Sequence, residues 1–478
     1  MLTPLSAQDW NYEAAAHLLN RAGFGGTPDE ISAFQGKGLE TAVDSLLQPP
    51  DAPLNVEDQP WSKPVDLAAS RQALRSLKGS PAEQKAKRKA MRQEQQGEVR
   101  ALRYWWLEQM HQTSAPLIEK MTLFWHGHFA TSVQKVRSPY AMWRQNATLR
   151  EQALGHFPTL LKAISRDPAM QVYLDLQQSK KDHPNENWAR EVMELFTLGI
   201  GNYTEEDVQA AARAFTGYRI DPRRQAFAFA ARQHDDTSKT FLGQRGNFSG
   251  DDVLDLIVAQ PVCAQFIGKK LWRFFVEDDP APPKVQAMGD ALRRHCFHVR
   301  PVLREVFRSR EFYSERVRRT QIKSPVQFLV QSCKLLGTDL PPAQATEGAL
   351  RSMGQIPFNP PNVKGWDGGK SWVSTSTLLF RYNFANYLLN GTAGPNFTVP
   401  PGLQRDAVDF AQIAPAALRQ EPEKLLAELG RWVFQAPLSP AQKETLLNYV
   451  KAQTDRTSDE TIRHVLHLMM STPQFQLT

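Results

Sequence analysis

Cysteine is scarce in this 478-residue chain, and the three that occur are far apart in sequence. Cys263, Cys296 and Cys333 form no CxxC pair and leave at least one thiol unpaired, which excludes a disulfide framework and a cysteine-ligated zinc site. No apolar run approaches the roughly 20 residues that a membrane-spanning helix needs. The N-terminal stretch lacks the basic and apolar regions of a signal peptide. We therefore expect a cytoplasmic protein with no transmembrane segment.

The common catalytic signatures are also missing. The sequence contains no P-loop, no G-x-G-x-x-G, no H-E-x-x-H and no G-x-S-x-G motif. It has no helix-turn-helix, RNP or zinc-finger pattern either, so we expect no nucleic-acid partner. Any active site must therefore be inferred from side chains that the fold brings together.

What the chain does contain predicts a mainly α fold, a large multi-helix orthogonal assembly with many short helices and one small β-hairpin element. Alternating apolar residues occur around Phe227 and Phe229, followed by a short apolar run at Phe241 and Leu242. We expect one unit over residues 1–478. Its predicted sub-regions are N-terminal helices (1–50), a long basic helical arm (71–110), a helical core with the candidate site (111–235), a second helical lobe with a Trp/Pro-rich loop (236–390) and C-terminal helices (391–478).

The net charge of +7 is concentrated in one stretch. Between Arg71 and Arg103 the chain has ten Lys or Arg residues and three Glu, so the remainder is neutral. The stretch is rich in helix-forming residues and becomes apolar at Tyr104, Trp105 and Trp106. It predicts either a solvated helical arm or a contact surface for a polyanion or an acidic protein.

One acidic helix carries the first candidate residues. In "HPNENWAREVMELFTLGIG", Pro184 marks the start, and Gly199 and Gly201 mark the end. At 100° per residue, Glu191 falls within the edge of the apolar arc, and Glu194 lies beside it. A buried carboxylate must be paired, protonated or bound to a cation. Glu191 is therefore either paired with an arginine, for which Arg190 and Arg213 are the candidates, or part of an active or metal-binding site.

The stretch "EKMTLFWHGHFATS" supplies the second set. His128 continues the apolar stripe of its helix, whereas His126 lies with Glu119 on a wetter side. An inward histidine is either a hydrogen-bonded core residue or a ligand. If Glu191 and Glu194 reach His128, the three side chains would form a divalent-metal shell or an acid–base group.

Two further stretches have features of a site. His234 and Asp235, in "RQHDDTSKT", are either a turn or an acid–base or ligand pair that closes the site. The Trp/Pro-rich loop from Gly354 to Phe384 is either a structural wrap over the helices or a surface for sugars or peptides. Its candidate substrate-binding residues are Asn362, Trp366, Trp372 and Arg381.

Several stretches together resemble a known bacterial family. They are "HLLNRAGFGGTPDEI", "EKMTLFWHGHFATS", "NENWAREVMELFTLGIGNYTEEDVQAAARAFTG", "KSPVQFL" and "PPNVKGWDGGKSWVSTSTLLFRYN". This combination is similar to the family catalogued as domain of unknown function 1800, and it spans nearly the whole chain. The family often has a larger polar residue at the position of Gly127.

The resemblance implies a partner but no chemistry. Family members are often encoded beside a twin-arginine-exported protein that resembles sulfatases or phosphatases, which suggests export together with such a partner. Two hypotheses follow from the sequence. The chain is an enzyme with a buried His/Glu site between helices, built on His128, Glu191 and Glu194 and dependent on a divalent metal or on acid–base chemistry. Alternatively, it is a non-catalytic partner or scaffold for the exported protein.

Overall fold

The structure is a computed structural model of the chain and describes residues 2–50, 56, 58–66, 69, 72, 76, 80–391 and 408–478. Helices dominate these residues, and the strands among them form two small antiparallel sheets. The predicted mainly α fold with a small β element is confirmed. In the same ranges, no helix is long and apolar enough to cross a membrane.

Many helices of the first half begin at a proline, whose fixed φ suits the first helical turn. Thr27 caps the second helix in the capping box that "TPDE" predicts, with its N–H donating to Glu30 Oε2 at 2.8 Å. The helices are α1 (Tyr12–Ala22), α2 (Pro28–Gly36), α3 (Leu39–Leu46), α4 (Pro81–Gln112), α5 (Pro116–His128), α6 (Val133–Val136), α7 (Pro139–Glu151), α8 (Phe157–Ser165), α9 (Pro168–Tyr173), α10 (Glu186–Glu194) and α11 (Glu205–Ala214).

Two hairpins follow α11. Strand β1 (Tyr218–Asp221) pairs with β2 (Ala226–Phe229), and β3 (Lys239–Phe241) pairs with β4 (Gln244–Gly246). The alternation at Phe227 and Phe229 therefore marks one strand of the first hairpin. Since a two-stranded sheet is marginal in isolation, each hairpin depends on packing against helices. Tyr218 and Phe241 provide this contact, being 5% and 0% exposed.

The second half of the chain is again helical. Its helices are α12 (Gly250–Ala259), α13 (Pro261–Phe275), α14 (Pro282–Arg294), α15 (Val299–Phe307), α16 (Pro325–Leu335), α17 (Ala343–Met353), α18 (Thr375–Asn390), α19 (Phe410–Ile413), α20 (Ala416–Arg419), α21 (Pro422–Val433), α22 (Pro440–Ala452) and α23 (Asp459–Met470).

Among the described residues, the buried apolar side chains form two groups. The first core collects residues mainly from α1 to α3, α8 and α10 to α15. The second core collects residues mainly from α4, α16 to α18 and α21 to α23. The prediction of one unit over residues 1–478 stays a prediction, and residues 392–407 of its last sub-region lie outside the described residues.

Helix α5 lies between the two cores. Its Met121 and Phe124 belong to the first core, while Leu123 belongs to the second. Polar side chains of α5 are consequently buried as well, with Glu119 3% and His126 1% exposed. The prediction of a wetter side at His126 is wrong, because aromatic residues of the second core cover that side of the helix.

The long basic helix is present as α4. Its basic residues from Lys85 to Arg92 are exposed, whereas Leu102 and Trp106 further along are fully buried in the second core. Helix α4 thus has an exposed basic first half and a buried apolar second half. Arg71, where the predicted arm begins, lies outside the described residues.

Candidate functional site

A cavity of about 420 Å³ lies beside α5, between α1, α13 and the loop that precedes α18. This volume falls within the range of small-molecule sites. The residues that line it are Asn20, Arg21, Lys120, Leu123, Phe124, Gly127, His128, Lys270, Arg273, Phe274, Asp278, Gln321, Ile322, Ser324, Gln327, Gln355, Lys364, Trp366, Asp367, Gly368, Gly369, Trp372 and Thr478.

His128 stands in the cavity wall, paired with Lys270 of α13. Its Nε2 is 3.1 Å from the carbonyl oxygen of Phe196, and its Nδ1 is 3.1 Å from Lys270 Nζ. Since a carbonyl can only accept, Nε2 carries the proton and Nδ1 accepts from the lysine. Burial, with the nearby Lys270 charge, holds the pKa of His128 well below its usual range. His128 is therefore a neutral imidazole with a fixed tautomer.

Lys270 is held by the end of α10 as well as by His128. Its Nζ donates to the carbonyl oxygen of Leu195 at 2.9 Å, just beyond the last helical residue. Carbonyls at a helix C-terminus have no partner within the helix and favour a cation. Burial, together with the charges of Arg273 and Lys364, nevertheless lowers the pKa of Lys270 to about 7. The amine is thus positioned by two acceptors and is easily deprotonated.

Two more cations are buried in the same wall. Arg21 is 2% exposed and donates to the backbone carbonyls of Phe275, Val276 and Val317 at 3.2, 3.0 and 2.7 Å. Burial lowers its pKa to about 9. Lys120, 8% exposed, donates to the side-chain oxygen of Gln327.

The surroundings of Lys120 are largely apolar. Its ammonium lies 5.1 Å from the ring centroid of Phe24 and 5.8 Å from that of Phe274. Burial, with the charge of Arg21, lowers the pKa of Lys120 to about 7. The neutral oxygen and the two rings replace only part of the hydration that the ammonium loses on burial.

Positive side chains outnumber negative ones around the cavity. Five are cationic (Arg21, Lys120, Lys270, Arg273 and Lys364), and two are acidic (Asp278 and Asp367). The exposed Lys364 pairs with Asp367 at 2.9 Å. Within the part of the chain that the structure describes, the other four cations have no carboxylate within ion-pair distance. Asp278 acts on Arg21 from beyond that distance, and the cavity wall carries a net positive charge.

The loop over the cavity is fixed by two close backbone approaches. Gly365 has a φ of +87°, and a Cβ added to it would overlap the carbonyl oxygen of Gly127 at the end of α5. Gly369 has a φ of +53°, and a Cβ there would lie 2.8 Å from Asp278 Oδ2. At Gly365, where the contact is with backbone, only glycine fits both the left-handed φ and the close approach. The loop therefore packs against the end of α5 and beside Asp278, and its Trp366 and Trp372 line the cavity.

Comparison with known proteins gives a family and no function. The family model described as protein of unknown function (DUF1800) matches residues 17–477. The chain belongs to the DUF1800 family. Neither a curated protein nor a solved structure matches it.

In this DUF1800 chain, the turn after α10 contacts His128 through the carbonyl oxygen of Phe196, and the carboxylates of α10 do not. Glu191 is half-buried, and burial with the neighbouring Glu194 charge raises its pKa. Glu194 instead accepts from the Tyr203 hydroxyl at 2.8 Å. Across the described ranges, no three His, Cys, Asp or Glu side chains are grouped so that they could hold a metal. The predicted set of His128, Glu191 and Glu194 is therefore not assembled.

The alternative prediction for Glu191, an ion pair with Arg190 or Arg213, is not found either. Arg190 pairs with Glu205 at 2.7 Å and with Glu186 at 3.2 Å. Arg213 pairs with a residue of the loop between the two hairpins. Glu191 instead lies beside Glu194 on the partly exposed side of α10, where solvent hydrates part of its carboxylate.

The pair His234 and Asp235 of the DUF1800 chain forms a fixed turn away from the cavity. His234 Nδ1 is 2.9 Å from the carbonyl oxygen of Thr216, and Asp235 pairs with Arg213 at 2.7 Å. Asp235 also accepts from the Thr237 N–H at 3.0 Å. Burial raises the pKa of Asp235, but these donors outweigh it and hold the pKa well below its usual range. Neither residue lines the cavity.

The four residues predicted for substrate binding separate into two pairs. Trp366 and Trp372 line the cavity, and Trp366 also lies 5.8 Å from the His126 ring. Asn362 is exposed and accepts from the Lys364 N–H at 2.9 Å. Arg381 is fully buried, where it donates to the carbonyl oxygen of Lys323 at 2.8 Å. Trp366 and Trp372 thus line the cavity whereas Asn362 and Arg381 do not, and substrate binding by the loop stays a prediction.

Sequence reasoning did not identify the cavity lysines. Lys270 has Phe266 and Phe274 one helical turn away on either side, and Lys120 has Phe124 one turn away. A lysine within an aromatic stripe is the one available signal, and it is weak because lysine side chains commonly extend past apolar neighbours to reach water.

Proposed function

We propose that the protein binds a small anionic organic molecule in the cavity beneath residues 364–372. The observation that carries the proposal is the burial of Arg21 and Lys120 in the cavity wall with no carboxylate in ion-pair distance, among the described residues. A buried cation without a counter-charge costs several kcal/mol. A phosphate, sulfate or carboxylate group in the cavity would offset this cost, which provides the driving force for binding.

The rest of the wall supports an organic ligand over a bare inorganic ion. Phe124, Phe274, Trp366 and Trp372 line the same space as the cations. Rings of this kind stack on sugars and aromatic groups, whereas a few placed charges fix the orientation. The ligand class is therefore an anion with a compact apolar or sugar-like body.

The pair of Lys270 and His128 gives this cavity a means of catalysis. A lysine with a pKa of about 7 exchanges protons readily at neutral pH. We propose these two residues, in place of a metal bound by His128, Glu191 and Glu194, as the reactive part of the site.

Equilibrium binding of phenyl phosphate and phenol tests the proposal. We expect phenyl phosphate to bind and phenol to bind at least tenfold more weakly. Lys120→Met is expected to lower the affinity for phenyl phosphate by about 10- to 100-fold. This corresponds to the loss of a charge-assisted hydrogen bond of roughly 1.5–3 kcal/mol. Lys269→Met is the matched control, because Lys269 is exposed and does not line the cavity. Equal affinity for phenyl phosphate in the unaltered protein, Lys120→Met and Lys269→Met would refute the proposal.

A second candidate function is recognition of an acidic protein partner through α4. Five basic residues of this helix, from Lys85 to Arg92, are exposed. The resemblance suggests the exported sulfatase- or phosphatase-like protein as this partner. Reversing the charge of these five residues is expected to abolish co-purification with the co-expressed partner and to leave phenyl phosphate binding intact. Unchanged recovery of the partner would contradict the idea.

A further inference from the structure

Lys270 Nζ has two hydrogen-bond acceptors, His128 Nδ1 at 3.1 Å and the Leu195 carbonyl oxygen at 2.9 Å. It also lies 4.8 Å from the centroid of the Phe266 ring. A neutral amine has two N–H groups and one lone pair, so both N–H groups can be donated to these acceptors while the lone pair stays unshared. Lys270 lines the cavity, so this amine stands beside a bound molecule.

We propose that Lys270 forms an imine with an aldehyde or ketone group of an anionic molecule bound in the cavity. The inference rests on the proposed anion binding, because the cations of the wall would hold the carbonyl compound beside the amine. Arg21 and Lys120 are the buried cations of that wall. The substrate class is thereby narrowed to oxo acids and to phosphorylated or sulfated aldehydes and ketones.

The chemical step balances without an added oxidant or reductant. The Lys270 lone pair attacks the carbonyl carbon, a C–N bond forms, and the carbonyl π electrons move to oxygen. One proton then passes from nitrogen to that oxygen and gives a carbinolamine. Loss of the second nitrogen proton and of the hydroxyl group as water leaves the C=N bond. His128 Nδ1 already accepts an N–H of Lys270, so it is the group placed to carry these protons.

Burial favours this reaction at neutral pH. The lowered pKa of Lys270, about 7, means that a large fraction of the amine is uncharged where an ordinary lysine is almost fully protonated. Lys120, whose pKa is also about 7, differs because its nitrogen donates to the amide oxygen of Gln327, which cannot carry protons as the imidazole beside Lys270 can. We therefore expect the two lysines to differ in reactivity although the pKa of both is lowered.

Reductive trapping with a matched set of probes tests the inference. The full chain is incubated with one of three probes. Pyridoxal 5′-phosphate carries both an aldehyde and a phosphate. Pyridoxal carries the aldehyde alone, and pyridoxine 5′-phosphate carries the phosphate alone. Cyanoborohydride reduces any imine, and peptide mass spectrometry locates the modified lysine. With limiting pyridoxal phosphate, we expect at least tenfold more modification at Lys270 than at Lys269 or Lys120. Excess pyridoxine phosphate is expected to suppress it, and pyridoxal is expected to react more slowly.

The outcomes separate this inference from the proposed function. Binding of pyridoxine phosphate without selective modification of Lys270 would overturn the imine and leave anion binding in place. Selective modification of Lys270 at equal rates by pyridoxal and its phosphate would support the imine and contradict the anion-binding role of the wall. Modification of many lysines at similar rates would overturn the imine. Mapping on the unaltered protein avoids dependence on a variant, and Lys270→Met, checked by circular dichroism, should lose the labelled peptide.

Discussion

Replacing Lys120 with methionine is expected to stabilise the protein while weakening its ligand binding. Burial and Arg21 lower the pKa of Lys120 from 10.5 to about 7. Because the folded-state pKa is the lower one, the unfolded chain binds the extra proton, and this lysine makes stability rise with pH between about 7 and 10.5. A shift of this size destabilises the folded protein by about 4 kcal/mol at pH 7 and by about 2 kcal/mol at pH 9.

Methionine removes this penalty but also removes favourable contacts. The side-chain oxygen of Gln327 loses its donor, and the rings of Phe24 and Phe274 lose a cation. At pH 7 these losses subtract roughly 2 kcal/mol, whereas at pH 9 the folded-state amine is uncharged and only the hydrogen bond to Gln327, roughly 1 kcal/mol, is lost. The net expectation for Lys120→Met is a gain of roughly 2 kcal/mol at pH 7 and roughly 1 kcal/mol at pH 9.

Urea denaturation at pH 7, 8 and 9, followed by circular dichroism, measures this difference. Lys269→Met serves as the exposed control and should follow the unaltered protein at every pH. The reasoning is refuted if Lys120→Met is destabilising by the same amount at pH 7 and pH 9. A gain in stability together with weaker phenyl phosphate binding would show that Lys120 serves ligand binding at the expense of stability. If Lys120 had a purely structural role, its removal would destabilise the fold.

Three further predictions concern the cavity and its loop. Binding of phenyl phosphate at pH 8 should take up protons, because an anion favours the charged forms of Lys120 and Lys270, whose pKa values are both about 7. Calorimetry in buffers of different ionisation enthalpy measures the uptake, and the absence of uptake would contradict anion binding beside these lysines. Gly365→Ala should lower the melting temperature and the phenyl phosphate affinity more than Gly368→Ala. Both positions have a positive φ, but only a Cβ at Gly365 would overlap backbone atoms. Equal effects of the two substitutions would argue against the close approach of Gly365 to α5. A Cβ at Gly127 meets nothing within 4 Å, and Gly127 lines the cavity. Gly127→Leu should therefore block binding at nearly unchanged stability, while Gly127→Ala should bind normally; binding by the leucine variant would place the ligand elsewhere.

Much of the fold follows from sequence periodicity, because periodicity reports which face of an element is buried. The wheel of α10 places Trp188 and Val192 inside and Glu191 at the edge, and the structure has the first two fully buried and Glu191 half-buried. The same reasoning puts His128 among the apolar side chains of α5, where it is 5% exposed.

The partners of those residues could not be predicted in the same way. A helical wheel describes one element and does not say which other element faces it. The turn after α10 contacts His128 through the carbonyl oxygen of Phe196, and a backbone group leaves no trace in the side-chain pattern. Lys270 joins His128 from 142 positions further along the chain. The wheel of α5 fails at His126 for the same reason. This side of the helix is buried only because the second core packs against it.

The shared position of α5 has a consequence for how the molecule unfolds. Because Phe124 contributes to one core and Leu123 to the other, loss of either core would leave an apolar face of this helix in water. The two cores are thus thermodynamically coupled through 13 residues, and fragments cut between them should aggregate or stay unfolded. A molecule bound at Gly127, where α5 ends, would raise the unfolding cooperativity of both cores together.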